Sequence, residues 1–364
     1  MAPVRIGVVG CGHIAQVQHL PNLLELDEEF EVAAVCDISP KAAEYVARRF
    51  KVPRHLSNIG DLMAADIDAV LLCHSDPKTG AALQAFEAGK HVLIEKPVCA
   101  SLQEADAMIA AAEKSGKVGQ AAYMKIYDPG FLMAKREIDA MDGFDFVQIN
   151  HLHPNNWLHL GQFRVKRFDD VPESARTEGR KAYQETMRDA FGELCEAAEP
   201  VSGITSGLIH DLYSLRTMLG PPSAVISAEI WQNDRAITTV MEYPNGARCV
   251  LTRVDLQKLW DFRETLEVYG HDKRVLLSYP TGFSRRVMSS LVVHGIDEDG
   301  TTYRKEPAIP WDSAFTAELR HFHQCITQGV ECRSSLTRAR EDVKLIIDIT
   351  RCYLTGEPVR REVG

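Results

Sequence analysis

The chain opens with an apolar run that ends in closely spaced glycines, and no other feature constrains the fold as strongly. After the β-prone stretch Val4–Val9, the pattern G-x-G-x-x-A places Gly10, Gly12 and Ala15 in order. In a nucleotide-binding βαβ unit, the first glycine permits a tight turn and the second lets the backbone approach a pyrophosphate. The third position must be small so that the helix packs closely on the sheet, and the helix N-terminus then faces the phosphates. The pattern predicts a dinucleotide-binding unit.

An acidic residue, Asp37, closes the next apolar run, near the offset of about 20 residues at which a carboxylate accepts hydrogen bonds from the adenosine ribose. A carboxylate there also repels a 2'-phosphate. The sequence therefore favours NAD as the cofactor and makes NADP the less favoured alternative, which the nearby Lys41 keeps open.

Short apolar runs alternate with helix-prone segments over the first third of the chain, which predicts a parallel sheet covered on both faces. Strands are expected at Val4–Val9, Glu31–Cys36, Ala69–Cys73, His91–Ile94 and Lys117–Ala121. We interpret residues 1–122 as an α/β Rossmann domain with a doubly wound parallel sheet. Because ligands gather at the carboxyl ends of such strands, we expect cofactor contacts from Gly10, Gly12, His13, Ile14, Asp37, Cys73, His74, Ser75, Glu95 and Lys96.

Explicit turn sequences separate β-rich runs beyond residue 122, which predicts a second, α+β domain over 123–364. Its strands are expected at Phe144–Leu152, Val225–Trp231, Ile237–Tyr243, Arg248–Val254, Thr265–Tyr269, Arg274–Leu277 and Met288–His294. They predict a large, open, mostly antiparallel sheet with one exposed face, through which we expect a homodimer or homotetramer. Closing helices are expected within 311–354. The charged, helix-prone segment 161–200 interrupts the sheet, and its role cannot be read from its residues.

The composition limits the kinds of partner that the chain is expected to bind. The formal net charge is -10 without a concentrated basic run, which argues against nucleic acid and anionic membrane surfaces. No apolar run reaches the roughly 18 residues of a membrane span, and the N-terminus enters a strand at once, so we expect a cytoplasmic protein. The nine cysteines lack metal-type spacing, and we expect no metal site.

Alternate histidines, His151 and His153, share one face of an expected strand. Together with Asn156 and Trp157 they are compatible with a sugar-binding pocket, by stacking and hydrogen bonding, or with ordinary sheet packing. A metal site is disfavoured because no carboxylate or cysteine cluster accompanies the two imidazoles.

A second motif, G-K-H-V-L-I-E-K-P over residues 89–97, ends a strand in a carboxylate, an amine and a proline. With the segments 119–131 and 207–220, it resembles the glucose-fructose oxidoreductase and inositol dehydrogenase family (Gfo/Idh/MocA). The resemblance covers nearly the whole chain. It departs from the family pattern at Ser206, Tyr213 and Ile126, where many members have two aspartates and an arginine.

The resemblance implies an NAD(P)-dependent dehydrogenase that acts on CH–OH groups of a sugar, glycoside, inositol or related polyol. It implies Lys96 and His210 as the catalytic pair. Together with the residue chemistry it suggests a substrate site formed by Lys125, His153, Asn156, Trp157 and Asp211. Two alternatives remain open: a related enzyme that uses bound NAD transiently for elimination or glycoside cleavage, and a non-catalytic NAD-sensing regulator.

Overall fold

The computed structural model describes residues 2–75 and 77–361. In it the chain forms two compact units, each assembled from three segments. The first unit comprises the described residues up to 123 together with 160–192 and 315–344, and the second comprises 124–159, 193–314 and the described residues from 345 onward. The expected boundary after residue 122 lies beside the first of these divisions. The two later segments that return to the first unit were expected in the second domain.

Fifteen strands are present among the described residues: β1 (Val4–Val9), β2 (Phe30–Cys36), β3 (His55–Leu56), β4 (Ala69–Leu72), β5 (His91–Glu95), β6 (Gly119–Ala122), β7 (Phe146–Pro154), β8 (Ala224–Trp231), β9 (Ala236–Glu242), β10 (Arg248–Leu256), β11 (Arg263–Tyr269), β12 (Lys273–Tyr279), β13 (Ser290–Ile296), β14 (Thr302–Lys305) and β15 (Val359–Arg360). The α-helices in this part of the chain are α1 (Leu20–Glu25), α2 (Pro40–Phe50), α3 (Ile59–Met63), α4 (Thr79–Glu87), α5 (Leu102–Ser115), α6 (Pro129–Asp139), α7 (Asn156–Leu160), α8 (Glu173–Phe191), α9 (Cys195–Ala198), α10 (Ser202–Ser206), α11 (Ile209–Leu219), α12 (Ala314–Gln328) and α13 (Leu336–Thr355). A π-helical segment, Ala15–His19, precedes α1, and 3-10 turns lie at Met124–Tyr127 and Gly192–Leu194.

The first unit is built on a six-stranded, all-parallel sheet in the order β3-β2-β1-β4-β5-β6. This order is the doubly wound arrangement that binds dinucleotides where the strand order reverses. All four residues of β4 are buried, as expected of a strand covered on both faces. The α/β prediction is confirmed, and the very short β3 is the one strand of this sheet that the sequence did not indicate.

Local signals explain the helix ends in this unit. Ser39 caps α2 by accepting a hydrogen bond from the Ala42 amide (3.0 Å), and Ser101 caps α5 by accepting one from the Glu104 amide (3.2 Å). Gly116 ends α5 in a left-handed conformation, with φ +65°. Leu319 and Phe322 of α12 belong to the same buried cluster as Ile6 of β1, so a helix from far along the chain completes this core.

The second unit is built on a nine-stranded sheet in the order β14-β13-β12-β11-β7-β10-β9-β8-β15. All its neighbouring strands are antiparallel except β7 and β10. The predicted open, mostly antiparallel sheet is therefore confirmed. The short strands β14 and β15 lie at its two edges and were not predicted. Within residues 2–75 and 77–361, every helix is too short or too polar to cross a membrane.

Candidate cofactor and substrate sites

The glycine turn after β1 has the geometry that its sequence requires. Gly10 adopts φ +91°, and a Cβ atom there would lie 2.5 Å from the backbone nitrogen of His74. A Cβ atom on Gly12 would meet nothing within 4 Å. Gly10 is thus required by the turn itself, whereas Gly12 leaves open space above the start of the following helix. That combination is what a bound pyrophosphate needs.

Asp37 lies directly beside this turn. Its Oδ2 accepts a hydrogen bond from the Cys11 amide (2.7 Å), and its Oδ1 accepts one from the Ser39 amide (2.8 Å). These bonds fix the carboxylate, which is half-buried, at the end of β2. The open glycine turn, the helix N-terminus and the oriented carboxylate together fit a dinucleotide, with Asp37 positioned to receive ribose hydroxyls.

The start of the segment 161–200 contacts the residues that come after the same glycine turn. The sequence analysis did not anticipate these contacts. Arg167 donates from Nε to the Nε2 of His13 (2.6 Å), and the carbonyl of Lys166 accepts a hydrogen bond from Gln16 (3.0 Å). Burial, followed by the positive charge of Arg167, lowers the pKa of His13, which suits a neutral ring that accepts this bond.

Asp170 extends these contacts to the neighbourhood of Asp37. It accepts a hydrogen bond from the Ser39 hydroxyl and one from the Lys41 amide (3.1 Å). A second carboxylate, that of Asp170, is therefore bound at Ser39, two residues after the candidate ribose ligand Asp37. The rest of the segment forms α8, where the carbonyl of Asp189 accepts a hydrogen bond from Gln103 of α5 (3.1 Å).

The carboxyl end of β4 carries the expected cofactor residues Cys73, His74 and Ser75. The Cys73 amide donates to the carbonyl of Val9 (2.7 Å), which joins this strand end to the glycine turn. Ser75 is exposed, and the next residue, Asp76, lies outside the described part of the chain.

The neighbouring strand β5 ends in Glu95 and Lys96. Glu95 is buried and lies 2.7 Å from the Nε2 of buried His19. Burial acts to raise the pKa of Glu95, but the His19 hydrogen bond and the nearby positive charges outweigh it and lower the pKa. Lys96 is half-buried, and the carbonyl of the following Pro97 accepts a hydrogen bond from Lys78 (3.0 Å). The strand end is thus fixed on both sides of Lys96.

A second buried carboxyl, Glu318 of α12, was missed by the sequence analysis. It is fully buried, and neither of its side-chain oxygens has a hydrogen-bond partner among the residues that the structure describes. Burial, and then the negative charge of Glu95, raises its pKa well above the usual range. These opposite shifts favour the protonated form of Glu318 and the ionised form of Glu95.

In the second unit, α11 turns His210 and Asp211 in different directions, as expected for adjacent helical residues. Nδ1 of the half-buried His210 lies 3.0 Å from the Tyr213 hydroxyl, whose oxygen also accepts a hydrogen bond from the Lys125 amide (3.3 Å). Tyr213, which replaces an aspartate of the family pattern, therefore orients the His210 ring.

Asp211 is buried and belongs to an ionic cluster with His151, Glu264 and Lys125. Nδ1 of His151 lies 2.9 Å from Oδ2 of Asp211, and Lys125 forms an ion pair with Glu264. The ammonium of Lys125 also lies 4.8 Å from the ring centre of Tyr279. The strand alternation placed His151 beside His153, but no sequence signal identified Glu264.

Burial controls the protonation of this cluster. It lowers the pKa of His151 to about 3, with the charges of Arg253 and Lys125 acting in the same direction against Glu264. Burial also raises the pKa of Asp211, although Lys125 opposes that rise. His151 is therefore neutral, and its Nδ1–H donates to the Asp211 carboxylate.

The other expected substrate residues lie along β7 and α7. The ring of His153 is 5.4 Å from that of His151, and burial followed by the charge of Arg253 lowers its pKa to about 4. Asn156 is exposed and Trp157 is 47% exposed. Sequence reasoning missed the neighbouring aromatic group, in which Phe262 contacts both His153 and His159 by ring edges.

The first part of the chain matches a known protein family. Residues 4–123 match an oxidoreductase family with an NAD-binding Rossmann fold. Among curated proteins, inositol 2-dehydrogenase 3 of Saccharopolyspora erythraea is 34% identical over 139 residues, which cover 38% of this chain and 41% of that relative. The chain thus matches about two-fifths of that relative's length.

Solved structures share the fold over nearly the whole chain. An oxidoreductase from Agrobacterium radiobacter in complex with NAD+, L-tartaric acid and magnesium superposes with a TM-score of 0.72 at 16% identity, covering 98% of both chains. A variant 3-ketoreductase from Actinomadura kijaniata in complex with TDP-benzene and NADP gives a TM-score of 0.70 at 18% identity, also covering 98% of both chains. At these identities the likeness concerns the fold, and both cofactors occur among such structures.

Proposed function

From the match of residues 4–123 to the Gfo/Idh/MocA oxidoreductase family, we propose that the chain is a dehydrogenase that transfers hydride between a nicotinamide cofactor and a secondary hydroxyl, or its ketone, of a sugar, glycoside, inositol or related polyol. The observation that carries this proposal is the dinucleotide site of the first unit. The tight turn at Gly10, the open space at Gly12 and the fixed carboxylate of Asp37 occur together there.

Two residues are proposed to act on the reacting oxygen. Oxidation of a secondary alcohol needs a proton acceptor on oxygen and a hydride acceptor on carbon, and the bound cofactor supplies the second. His210 would accept the proton at Nε2, which requires that its Nδ1 carry hydrogen and donate it to the Tyr213 hydroxyl. The Lys96 ammonium would donate a hydrogen bond and stabilise developing alkoxide charge.

The proposed substrate site uses the polar end of β7 and its surroundings. Lys125, which pairs with Glu264, and Asp211, which accepts from His151, are buried and form its fixed floor. Burial keeps His151 neutral beside His153. Imidazoles can exchange hydrogen bonds with polyol hydroxyls, and the half-exposed indole of Trp157 can stack on a sugar face. Asn156 adds an exposed amide.

We further propose that NAD is preferred to NADP. A 2'-phosphate on the adenosine ribose would approach Asp37 and, two residues further on, Ser39 with its bound Asp170. Two carboxylates there repel a phosphate, whereas a ribose hydroxyl can donate to Asp37.

Assembly through the second unit's sheet is also proposed, as a homodimer or homotetramer. Strand β9 alternates between buried and partly accessible residues, and β8 alternates between partly accessible and exposed residues over 226–230, which leaves one face of this part of the sheet available. Light scattering on the purified protein measures the oligomeric state directly, and a monomer at micromolar concentration would refute the assembly.

The function is tested by following NADH absorbance while the protein and NAD are presented with aldoses, glycosides, inositols and their keto forms. We expect a net change with one compound class. The Lys96→Ala variant should retain cofactor affinity but lose turnover by about 10²- to 10³-fold, because its amine acts on the reacting oxygen. Replacement of exposed Lys114 on α5 by alanine is the matched control and should leave turnover unchanged.

The alternatives give different results in the same assay. Product formation without net NADH would indicate a transient redox step, because the hydride returns to the product. NAD binding without turnover of any compound would favour a sensing role. A parallel loss of NAD affinity in Lys96→Ala would remove the assigned role of Lys96.

A further inference from the structure

Two cysteines and a histidine converge in the first unit, away from the glycine turn. His321 and Cys325 are one helical turn apart on α12, so they share a face of the helix, and Cys332 follows in the segment before α13. The Nε2 of His321 lies 3.4 Å from the Sγ of Cys325. One donor atom from each of the three residues lies within 4.8 Å of the other two.

The segment that carries Cys332 is attached to the edge strand of the parallel sheet. The Ala121 amide of β6 donates to the carbonyl of Ser334 (2.8 Å), and the Ser334 hydroxyl donates to the carbonyl of Ala121 (2.8 Å). The thiol of Cys332 contacts the side-chain oxygen of buried Gln120 (3.5 Å). The three donors are therefore held by a helix and a sheet edge rather than by a loose loop.

These distances suit a tetrahedral ion of the zinc class. With Zn–N bonds of about 2.0 Å and Zn–S bonds of about 2.3 Å, two ligand atoms of a tetrahedral site are roughly 3.5–3.8 Å apart. The His321–Cys325 separation is close to that value. The Arg333 amide now donates to Nε2 of His321 (3.1 Å), and a metal ion would take the place of this hydrogen bond. Two thiolates would neutralise a divalent charge.

A fourth ligand can reach the cluster from a surface cavity. Cys325 and Cys332 both line this cavity of about 410 Å³, whose other walls come from the end of α5 and the start of α13. Cys332 is partly exposed to it. The cavity has room for a water molecule or an external thiol at the open position.

A comparable group in the second unit is less suitable. His151, Asp211 and Glu264 also bring donor atoms within 4.8 Å of one another, but the Lys125 ammonium already pairs with Glu264. A divalent ion there would lie beside that positive charge. Arg333 and Arg338 lie near the two thiols, but the Arg338 guanidinium pairs with Glu331 rather than with one of the three donors.

We propose that His321, Cys325 and Cys332 bind one Zn²⁺ ion, which ties α12 to the edge of the parallel sheet, with a solvent molecule from the cavity as the fourth ligand. The site is independent of the proposed dehydrogenase chemistry. It lies within residues that the structure describes and needs no group from outside the chain except the ion and water.

The first test is a titration of the reduced full-length protein with Zn²⁺ against a chromophoric chelator. We expect one equivalent to bind, and Cys325→Ser or Cys332→Ser to weaken binding by at least about 10-fold. Cys195→Ser, which removes a partly exposed thiol of α9, is the matched control and should bind zinc like the unchanged protein. Equal weakening in Cys195→Ser, or no stoichiometric binding by the unchanged protein, would overturn the proposal.

A second measurement does not depend on how the variants fold. Co²⁺ added to the reduced, unchanged protein should give the thiolate-to-cobalt charge-transfer absorption and intense visible bands of tetrahedral coordination, and Zn²⁺ should displace both. If these bands are absent, the cluster is not a metal site. A Cys325–Cys332 disulfide in protein isolated without reductant, combined with no cobalt spectrum after reduction, would mark the pair as a redox couple and also overturn the proposal.

Discussion

His151 on β7 donates from Nδ1 to the carboxylate of Asp211 on α11 across 2.9 Å, and both side chains are almost completely buried. The bond joins the central part of the second sheet to the helix that also presents His210. Burial lowers the pKa of His151 to about 3, so the histidine is neutral where it donates to Asp211. This contact therefore holds β7 against α11 in the proposed substrate site, and it involves the neutral form of His151.

Acid should destabilise the protein through His151. Its folded-state pKa of about 3 lies below the ordinary value of 6.5, so between these two values the unfolded chain binds the additional proton. The free energy of unfolding should fall by about 1.4 kcal/mol for each pH unit below 6.5 from this residue alone. The raised pKa of Asp211 acts in the opposite direction near its own titration range.

This effect is measured by urea unfolding at several pH values from about 6.5 to about 5. His151→Gln should show a shallower pH slope than the unchanged protein, whatever its absolute stability. Replacing exposed His271 by glutamine provides the control and should retain the original slope. Parallel slopes for His151→Gln and the unchanged protein would contradict the assigned neutral state.

The two glycines of the turn should respond differently to alanine. Gly10→Ala places a Cβ atom 2.5 Å from the His74 backbone at φ +91°, so we expect a loss of about 1–3 kcal/mol in stability or failure to fold. Gly12→Ala meets no neighbour, and should fold normally but bind NAD at least about 10-fold more weakly, because its methyl group occupies the space next to the pyrophosphate. Thermal unfolding and NAD titration separate the two effects, and normal NAD affinity in Gly12→Ala would count against the cofactor position.

Cofactor choice should depend on the charge at the end of β2. Asp37→Ser combined with Ile38→Arg should shift the ratio of kcat/KM for NADP over NAD by about 10-fold or more, since a repulsive contact becomes a charge-assisted one. Ile38 is 57% exposed, so the arginine can be accommodated at the surface. Ile38→Arg alone serves as the control and should shift the ratio less. An unchanged ratio in the double variant would place Asp37 away from the ribose.

Removing the buried acid of α12 should stabilise the protein at neutral pH. The folded-state pKa of Glu318 lies above its ordinary value of 4.5, so folding gains from its proton below that value and loses this contribution as the pH rises towards the folded-state pKa. Glu318→Gln keeps the shape without a titrating proton. We expect a higher Tm at neutral pH and a flatter stability profile above about pH 4.5. Exposed Glu113→Gln should leave the profile unchanged, and a lower Tm in Glu318→Gln would show that the acid has a partner that the glutamine cannot satisfy.

The parts of the fold that the sequence predicted are those with strong local signals. The glycine pattern and Asp37 lie within short stretches of chain, and each was identified from its spacing. Strand β7 was placed within two residues at each end because its apolar residues alternate.

The parts that could not be predicted depend on contacts between residues distant in sequence. Glu264 meets His151 only because β11 pairs with β7, and Asp170 meets Ser39 only because the segment before α8 folds back on the first unit. Cys332 approaches Cys325 through a chain reversal anchored at Ser334. The spacing of residues along the chain does not indicate such long-range contacts. The roles of Glu264, Asp170 and Cys332 could therefore not be predicted from the sequence.

The three-segment construction of the first unit has a consequence for synthesis on the ribosome. Domains near the N-terminus ordinarily fold as soon as they emerge. Here Leu319 and Phe322 contribute to the same core as Ile6, so most of the polypeptide must be translated before the glycine-turn unit can acquire its last helix. Until then the nascent chain exposes apolar surface that α12 will later cover, and a chaperone that shields this surface during translation has a defined interval in which to act.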